Sequence, residues 1–324
     1  MWAVSRGIEY STIMSSVLSD TMNAYRLATL GAPERRALRA FLERNVANNL
    51  FALSWLENYG IVPSRQGMFH YRGMFNTLTE ELEAVALVIS DKLILFDTPH
   101  VELAAYLGRW YCEAAFHFQH VVSARHLVEP FWATYTQASR HLDGEPYEAR
   151  LISPQQMYEL SRQDWLNVRF ERGAQVDENI ALREANMSEM EAVFLASARM
   201  HHEETLEDPL VHQPEAFRHH VKHRIQTGRT YVWFNEHRRL IFKADISAQS
   251  RYGVQISGVY TDPSVRNQGV ATRAMRELCR LLFVRGWPRV TLYVNEGNQP
   301  ALKVYERVGF SYLHDYMTIF VSEP

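Results

Sequence analysis

The sequence is poor in cysteine and has neither a long apolar run nor an excess of one charge. Cys112 and Cys279 are its two cysteines, and both lie in apolar, helix-like surroundings. They predict reduced core residues of a cytoplasmic protein rather than a disulfide scaffold. No apolar run has the length needed to span a bilayer. Residues 1–20 contain no continuous apolar signal core, so we expect no export.

Charge and composition are those of an ordinary globular protein. A formal net charge of −3 gives no general attraction to nucleic acid or to an anionic membrane, so neither is an expected partner. Apolar residues make up 47% of the chain and charged residues 22%, which provides ample core. A length of 324 residues predicts two domains. Residues 1–21 are expected to be a flexible lead-in.

Two familiar phosphate-binding motifs, Gly-x-x-x-x-Gly-Lys-Ser/Thr and Gly-x-Gly-x-x-Gly, are also absent. A different strand, loop and helix are present. Residues 254–260 alternate as a strand, and residues 271–282 have helical spacing. Gly269, in the loop at residues 266–271, lets the backbone approach a ligand at the helix N-terminus. Unpaired N–H groups and the helix dipole favour phosphate there.

A second strand and helix follow. Residues 289–294 are β-branched and aromatic, as in a strand. A helix is predicted over residues 301–308, with Asn298 placed to cap its start and Gly309 placed to end it. Pro300 lies in the first turn, where its missing N–H costs nothing.

These two segments together resemble the GNAT superfamily of acetyl-CoA-dependent N-acetyltransferases. The loop follows the pattern Gln/Arg-x-x-Gly-x-Gly/Ala, and the second segment reads Val-Asn-x-x-Asn-x-x-Ala-x-x-x-Tyr-x-x-x-Gly-Phe. The resemblance covers roughly the last 145 residues, the size of one domain. The chain is similar to bacterial proteins in which a GNAT-related domain of unknown role precedes a complete GNAT domain. This implies an α/β (α+β) fold of two tandem GNAT-like domains, each a mixed, mostly antiparallel twisted sheet flanked by helices.

The predicted boundaries are residues 22–150 for the first domain, 151–178 for a partly helical connector and 179–324 for the complete GNAT domain. The first domain has nearly the element order of a GNAT, although an unrelated α/β domain is the alternative. Before its second predicted helix stands Asp97-Thr98-Pro99-His100 instead of the glycine pattern. Because Asp97 would repel a pyrophosphate, we expect this domain to be degenerate and to bind no CoA.

The resemblance implies acetyl-CoA as cosubstrate. In GNATs the fourth and fifth strands splay, and the pantetheine arm pairs with the fourth strand, here at residues 258–261. One N–H there would polarise the thioester carbonyl. Gly258 suits such a close approach, although a simple β-bulge is the alternative. The implied cofactor-binding residues are Gly258, Val259, Tyr260, Thr261, Arg266, Asn267, Gln268, Gly269, Val270, Ala271, Thr272, Asn295, Asn298 and Tyr305.

Tyr305 is the candidate general acid. It follows Asn298 by about two helical turns, so both face one side of the helix. A phenol beside the sulfur can protonate the departing thiolate. A core tyrosine is the alternative. Asn295 and Asn298 would bond the pantetheine or adenosine end, or simply cap the helix.

The general base is left open between two carboxylates and a water chain. Gln255 stands where some protein-acetylating GNATs carry a glutamate, and glutamine cannot take a proton. Glu204 lies in a predicted acidic loop, where it could hold or deprotonate a cationic amine or simply be solvated. Asp245 lies on a predicted strand, either as the base or facing water at the sheet surface.

Two histidines suggest a metal only weakly. His219 and His223 lie one helical turn apart and could share an ion. No Glu or Cys partner stands at a signature spacing, so a solvated basic face is the preferred interpretation and no metal is predicted.

The sequence therefore predicts an N-acetyltransferase that moves an acetyl group to a primary amine by direct attack in a ternary complex. A non-catalytic acyl-CoA sensor or interaction module is the alternative, and it would not need Tyr305. Aminoacyl transfer from tRNA ranks lower, because the loop is kept and no strong basic stretch is present. The expected partner is a small-molecule or peptide amine, a homodimer is possible, and the identity of the acceptor stays open.

Overall fold

A computed structural model describes residues 24–62, 68–143, 147–167 and 180–322. The predicted lead-in and residues 168–178 of the predicted connector lie outside the described residues. The chain divides into two compact units, Met1–Gln155 with His314–Pro324, and Gln156–Leu313.

Strands and helices cover most of the described residues. The strands are β1 (Tyr25–Thr29), β2 (His70–Asn76), β3 (Leu82–Ile89), β4 (Leu93–Asp97), β5 (His120–Ala124), β6 (Ala149–Ser161), β7 (Arg183–Glu184), β8 (Thr230–Phe234), β9 (Leu240–Ser250), β10 (Gly253–Thr261), β11 (Arg289–Asn295) and β12 (Ser311–Val321). The helices are α1 (Arg35–Glu43), α2 (Val46–Tyr59), α3 (Val101–Glu113), α4 (Arg125–Asp143), α5 (Arg162–Asn167), α6 (Met190–Thr205), α7 (Pro209–His212), α8 (Pro214–Gln226), α9 (Val270–Val284) and α10 (Gln299–Val308).

The sheet of the first unit runs in the order β1-β2-β3-β4-β5-β12, followed by the start of β6. Neighbouring strands from β1 to β4 are antiparallel, β4 and β5 are parallel, and β5 and β12 are antiparallel. Helices α3 and α4 pack closely because Gly108 has no side chain. A Cβ at Gly108 would lie 2.0 Å from the Phe131 carbonyl oxygen.

The sheet of the second unit runs from the end of β6 through β11, β10, β9 and β8 to β7. Strands β8, β9 and β10 are antiparallel neighbours, whereas β10 and β11 are parallel. Its two faces carry separate cores. Tyr231 belongs to one cluster and Val232 to the other, since successive residues of a strand face opposite sides.

Helices α9 and α10 cover one face, and α6 and α8 cover the other. In α9 the buried side chains Ala274, Leu278 and Leu282 recur one turn apart, which gives the helix its apolar stripe. The predicted fold class is confirmed, because each unit is a mixed, mostly antiparallel sheet flanked by helices.

The apolar spacing from Pro33 to Tyr59 predicts one helical run, but the structure divides it into two helices, α1 and α2. The Asn45 side chain accepts a hydrogen bond from the Asn48 backbone N–H at 3.3 Å and thereby starts α2. Asparagine favours such a cap over a helix interior because its side chain competes for the backbone N–H groups.

The connector predicted for residues 151–178 begins inside a strand. The predicted connector was expected to be helical from Pro154 to Trp165, but Pro154 lies within β6 and helix α5 starts only at Arg162. The boundaries between the units fall within β6 and β12. The predicted second domain, residues 179–324, therefore differs from the second unit, which begins at Gln156 and ends at Leu313. Pairing between strands far apart in sequence decides this, and local patterns do not report it. Within the described part of the chain, no helix is both long and apolar enough to cross a membrane.

The start of α6 differs in detail from the prediction. Ser188 and Glu191 were expected to form a capping box, but the structure uses Asn186 and Glu189 around a 3₁₀ turn. At its other end α6 continues to Thr205, so Glu204 lies in the last turn of a helix rather than in a loop. Leu206 ends the helix in the left-handed conformation, with φ +60°.

Candidate active site

The loop between β10 and α9 has the backbone conformation of an open helix entrance. Gly269 caps α9 with φ +74°, and Asn267 also has a positive φ of 62°. A Cβ placed at Gly269 would meet no heavy atom within 4 Å, so the space outside it is free. The first N–H groups of a helix have no partner within the helix. The loop therefore presents backbone donors and a positive dipole end to a clear surface.

A buried carboxylate, which sequence reasoning did not single out, positions this loop. The Asp262 Oδ1 atom accepts hydrogen bonds from the Ser264 backbone N–H at 2.9 Å and from the Ser264 hydroxyl at 2.6 Å. Arg239 reaches both carboxylate oxygens, with Nη2 3.0 Å from Oδ1. Burial alone would raise the pKa of Asp262, but the bonds from Ser264 and Arg239 hold it below its usual value. The Asp-Pro-Ser turn was the only local signal of this role.

Arg266 and Gln268 brace the loop. The Arg266 Nε donates to the Thr261 carbonyl at 3.1 Å, and its Nη2 lies 3.1 Å from a carboxylate oxygen of Glu203. The Gln268 amide donates to the Ser264 carbonyl at 3.2 Å. Arg266 thus ties the loop to the end of α6, where Glu204 lies.

The parallel strands β10 and β11 separate beside this loop. Their register pairs Val254 with Val290 and continues to Ile256 with Leu292. Beyond that pair β10 continues to Thr261 and β11 to Asn295. The described backbone therefore has a gap between two strand ends, as the resemblance implies.

Gly258 lies at a bulge in β10. Ser257 pairs with Asp245 and Tyr260 pairs with Lys243, so Gly258 and Val259 together oppose a single residue of β9. Gly258 has φ +57°, a conformation that favours glycine. The bulge that was left open as an alternative is present in the ladder with β9, and it lies beyond Ile256, where the pairing with β11 has already ended.

The other predicted cofactor-binding residues differ in their exposure to solvent. Val259, Thr261, Ala271, Thr272 and Asn295 are partly exposed, and Asn298 is exposed. Tyr260 and Val270 are 3% and 5% exposed, so only their backbone atoms are available. Asn298 caps α10, its Oδ1 atom accepting from the Ala301 N–H at 3.2 Å.

Tyr305 lies on α10, at 5% exposure. Its ring centroid is 5.9 Å from that of Phe310 and 6.5 Å from that of Tyr158. Burial and, to a smaller extent, the nearby charge of Glu204 raise the pKa of Tyr305. The phenol is therefore protonated at neutral pH and able to donate.

Glu204 faces both this tyrosine and a buried lysine. The residue is exposed to solvent, yet protein atoms crowd its carboxyl. Desolvation raises the pKa of Glu204, and Glu203 adds to the rise while the charge of Lys243 opposes it. Glu204 and Tyr305 were predicted from separate segments, and the structure brings them into electrostatic contact.

Asp245 does not face water at the sheet surface. It is 2% exposed, and its carboxylate accepts bonds from Lys243 Nζ at 2.6 Å, Arg224 Nη1 at 3.0 Å and Thr230 Oγ1 at 2.8 Å. Burial would raise the pKa of Asp245, but Lys243 and Arg224 hold it low. A carboxylate with these three partners is poorly suited to take a proton. Gln255 is buried on β10 at 5% exposure. Of the two predicted carboxylates, Glu204 is therefore better placed than Asp245 to take a proton.

The corresponding corner of the first unit is arranged differently. The β4–β5 register ends at Leu95 and Val122, but the Ser123 hydroxyl donates to the Phe96 carbonyl at 2.7 Å. The Asp97 carboxylate accepts from the Asn49 amide at 2.8 Å, and burial raises the pKa of Asp97. Glu102 lies in the first turn of α3.

Within the residues that the structure describes, no three His, Cys, Asp or Glu side chains are grouped to hold a metal ion.

A protein-family model matches part of the chain. Residues 197–310 match the model of the Acetyltransferase (GNAT) family. The match lies within the second unit, and the chain is similar to the GNAT family there. No curated protein sequence matches the chain.

Solved structures extend the likeness to both units. A GCN5-related N-acetyltransferase from Sphaerobacter thermophilus has a TM-score of 0.55 at 14% identity, covering 93% of this chain and 96% of its own. An acetyltransferase of the GNAT family from Colwellia psychrerythraea has 0.51 at 12%, covering 92% and 100%. A tandem GNAT protein of clavulanic acid biosynthesis, solved without acetyl-CoA, has 0.50 at 11%, covering 93% and 99%. At these identities the likeness shows the fold, which is that of two tandem GNAT-like domains.

Proposed function

We propose that this protein is an acetyl-CoA-dependent N-acetyltransferase that acetylates a primary amine by direct attack in a ternary complex. The observation that carries the proposal is the separation of β10 from β11 beside the open N-terminus of α9. The charge of Glu204 contributes to the raised pKa of the Tyr305 phenol. A family match alone would not supply this combination.

The second unit has the features that a CoA group requires. The clear space outside Gly269 and the donors at the start of α9 suit a pyrophosphate. The edge of β10 from Gly258 to Thr261, which lies beyond the last residue paired with β11, suits a pantetheine arm, because such an arm can pair with a strand edge. Bound there, acetyl-CoA would supply a thioester whose acetyl group passes to the amine nitrogen and whose sulfur leaves as a thiolate.

Two side chains of this protein would take up and supply the protons that the reaction moves. A cationic acceptor amine must lose one proton before it attacks and a second as the amide forms, while the leaving sulfur must gain one, so one proton goes to solvent overall. Glu204 is placed to hold the cationic amine and to take its proton, and its raised pKa makes it a better base than an ordinary glutamate. Tyr305 holds a proton at its phenolic oxygen and would donate it to the sulfur.

A thiol-release assay tests the proposal directly. The protein is incubated with acetyl-CoA and a panel of primary amines that includes amino acids, polyamines and peptide N-termini. Release of CoA thiol that depends on the amine, with the acetylated amine found by mass spectrometry, is the expected result. A protein that binds acetyl-CoA but releases no thiol with any amine would instead be an acyl-CoA sensor.

A further inference from the structure

Strand β9 carries an ion pair where its neighbours are apolar. Phe242, Ala244 and Ile246 fill the core under α9 and α10, while Lys243 and Asp245 point to the other face. The Lys243 side chain is 0% exposed and that of Asp245 is 3% exposed. Burying a lysine completely is costly unless each of its donors finds a partner. The partners of Lys243 therefore indicate what it does.

Lys243 has two partners of different kinds. Its Nζ lies 2.6 Å from Asp245 Oδ2 and 3.1 Å from the carbonyl oxygen of Gly258. The second contact falls on the bulge of β10, where the ladder with β9 is interrupted. Lys243 thus donates a hydrogen bond to the Gly258 carbonyl at the point where the pairing of β9 with β10 is irregular.

The bulge is fitted closely around this ion pair. A Cβ at Gly258 would lie 2.7 Å from Asp245 Oδ2 and 3.2 Å from Lys243 Nζ. Glycine is therefore required at position 258 both by φ and by the neighbouring charges. The orientation of the Gly258–Val259 peptide is set by side chains of β9.

We propose that Lys243 is a positioning residue that holds the Gly258 carbonyl toward β9 and so directs the Val259 N–H into the gap between β10 and β11. A peptide is planar, and its C=O and N–H point in opposite directions. A carbonyl turned toward Lys243 therefore turns the next N–H away from it. This inference rests on the proposed function, because the N–H is offered to a thioester carbonyl.

Arg224 provides a matched comparison. Arg224 and Lys243 both donate to Asp245 Oδ2, at 3.0 and 2.6 Å, but only Lys243 reaches Gly258. Lys243→Met and Arg224→Met each remove one cation from the same carboxylate. If Lys243 only stabilises the fold, the two variants should differ in how much stability they lose and should otherwise bind and turn over acetyl-CoA alike.

The test is the infrared stretching frequency of acetyl-CoA labelled with ¹³C at the thioester carbonyl and bound to the full chain. A hydrogen bond to that carbonyl lowers its frequency. We expect the lowered frequency in the unaltered protein and in Arg224→Met, and a higher frequency in Lys243→Met. With an amine acceptor, kcat of Lys243→Met should fall about 10²-fold, as for loss of an oxyanion donor, with little change in the KM for acetyl-CoA.

The outcomes are distinguishable. If Lys243→Met does not fold, Lys243→Met with Asp245→Asn serves in its place, because it removes both charges of the fully buried pair and leaves only the partly exposed Arg224 without its carboxylate. An unchanged frequency in whichever lysine variant folds overturns the positioning role and leaves the proposed function intact. Failure of the unaltered protein to bind acetyl-CoA overturns both.

Discussion

Tyr305 and Glu204 are the two residues whose surroundings support a chemical role. Tyr305 is almost fully buried on α10, next to Phe310 and Tyr158, and burial raises the pKa of its phenol. Glu204 is accessible at the end of α6, and partial desolvation raises the pKa of its carboxyl. One group thus keeps a proton to give, and the other is a base of increased strength.

Tyr305→Phe should lower kcat by about 10²-fold, since it removes the acid and keeps the ring. CoA affinity should change little, because the other implied cofactor-binding residues, in the loop before α9 and along β10, are unaltered. Tyr158→Phe is the matched control, a buried tyrosine whose ring neighbours that of Tyr305. Steady-state kinetics on an identified amine decide the matter, and near-normal kcat in Tyr305→Phe would assign Tyr305 to the core alone.

Glu204 should set the acid limb of the pH–rate profile. A base works only when deprotonated, so kcat should rise with pH through the pKa of Glu204, which desolvation places above the ordinary glutamate range. Glu204→Gln should abolish that limb and lower kcat by about 10²-fold. Glu191→Gln, on the exposed side of α6, is the control. An acid limb that persists in Glu204→Gln would transfer the role to water.

Stability offers an independent check on Glu204. Its folded-state pKa is raised, so the folded protein binds the proton more tightly than the unfolded chain. Stability from this group is present at low pH and is lost as pH rises through the folded pKa. Glu204→Gln does not titrate, so its melting temperature should exceed that of the unaltered protein at pH 8 and approach it at pH 4.

At the scale of elements, the start of α9 is the part that local sequence describes best. The loop conformation, with Gly269 in the left-handed region, follows from residues within one turn of each other. Asp262 then fixes the turn that leads into the loop. The loop is thus a local structure attached to a sheet.

Gly269→Glu should abolish the rise in melting temperature that CoA produces, because it places a side chain and a negative charge at the phosphates. Glutamate at a positive φ also costs about 1–2 kcal/mol of stability. Gly286→Glu is the matched control, since Gly286 follows the same helix with φ +93° and open space around it. Both variants should melt lower without ligand, and only Gly286→Glu should keep the CoA shift. Retention of the shift in Gly269→Glu would remove the loop from the site.

At the scale of the whole molecule, the two units share a fold and differ at the corner where CoA would bind. In the first unit the carbonyl of Phe96 is occupied by Ser123, and Asp97 stands where a phosphate would approach. Pro99 has no N–H to offer, and Glu102 adds negative charge at the start of α3. These features oppose an anionic ligand.

Calorimetric titration of the full chain with CoA should therefore give one site per chain. Gly269→Glu should reduce this to none, which assigns the site to the second unit. A stoichiometry of two would show that the first unit binds CoA despite Asp97. One site that survives in Gly269→Glu would place the cofactor in the first unit.

Much of the fold could be predicted from the sequence wherever a signal was local. β1, β5 and the helix–loop units around Gly269 and Asn298 have the bounds or caps that their residues indicate. Helix ends were less predictable, because the break at Asn45 and the extension of α6 to Thr205 depend on competing caps and packing. Strand β6 was missed because its neighbours in the sheet, β11 and β12, lie far along the chain and no local pattern reports that pairing.

The resemblance to the GNAT superfamily implied the candidate roles of Tyr305 and Glu204. The sequence by itself determined the order of elements and the glycine loop at the start of α9. These features depend on turn chemistry, periodicity and spacing within a few residues. Tertiary structure alone decided that Asp245 is buried rather than exposed, that Lys243 holds the bulge at Gly258, and that β12 from His314 onward belongs with the first unit. Each of these facts is a pairing between distant segments. Strand register and the partner of a buried charge are set by the packing of the folded chain, and no local pattern records them.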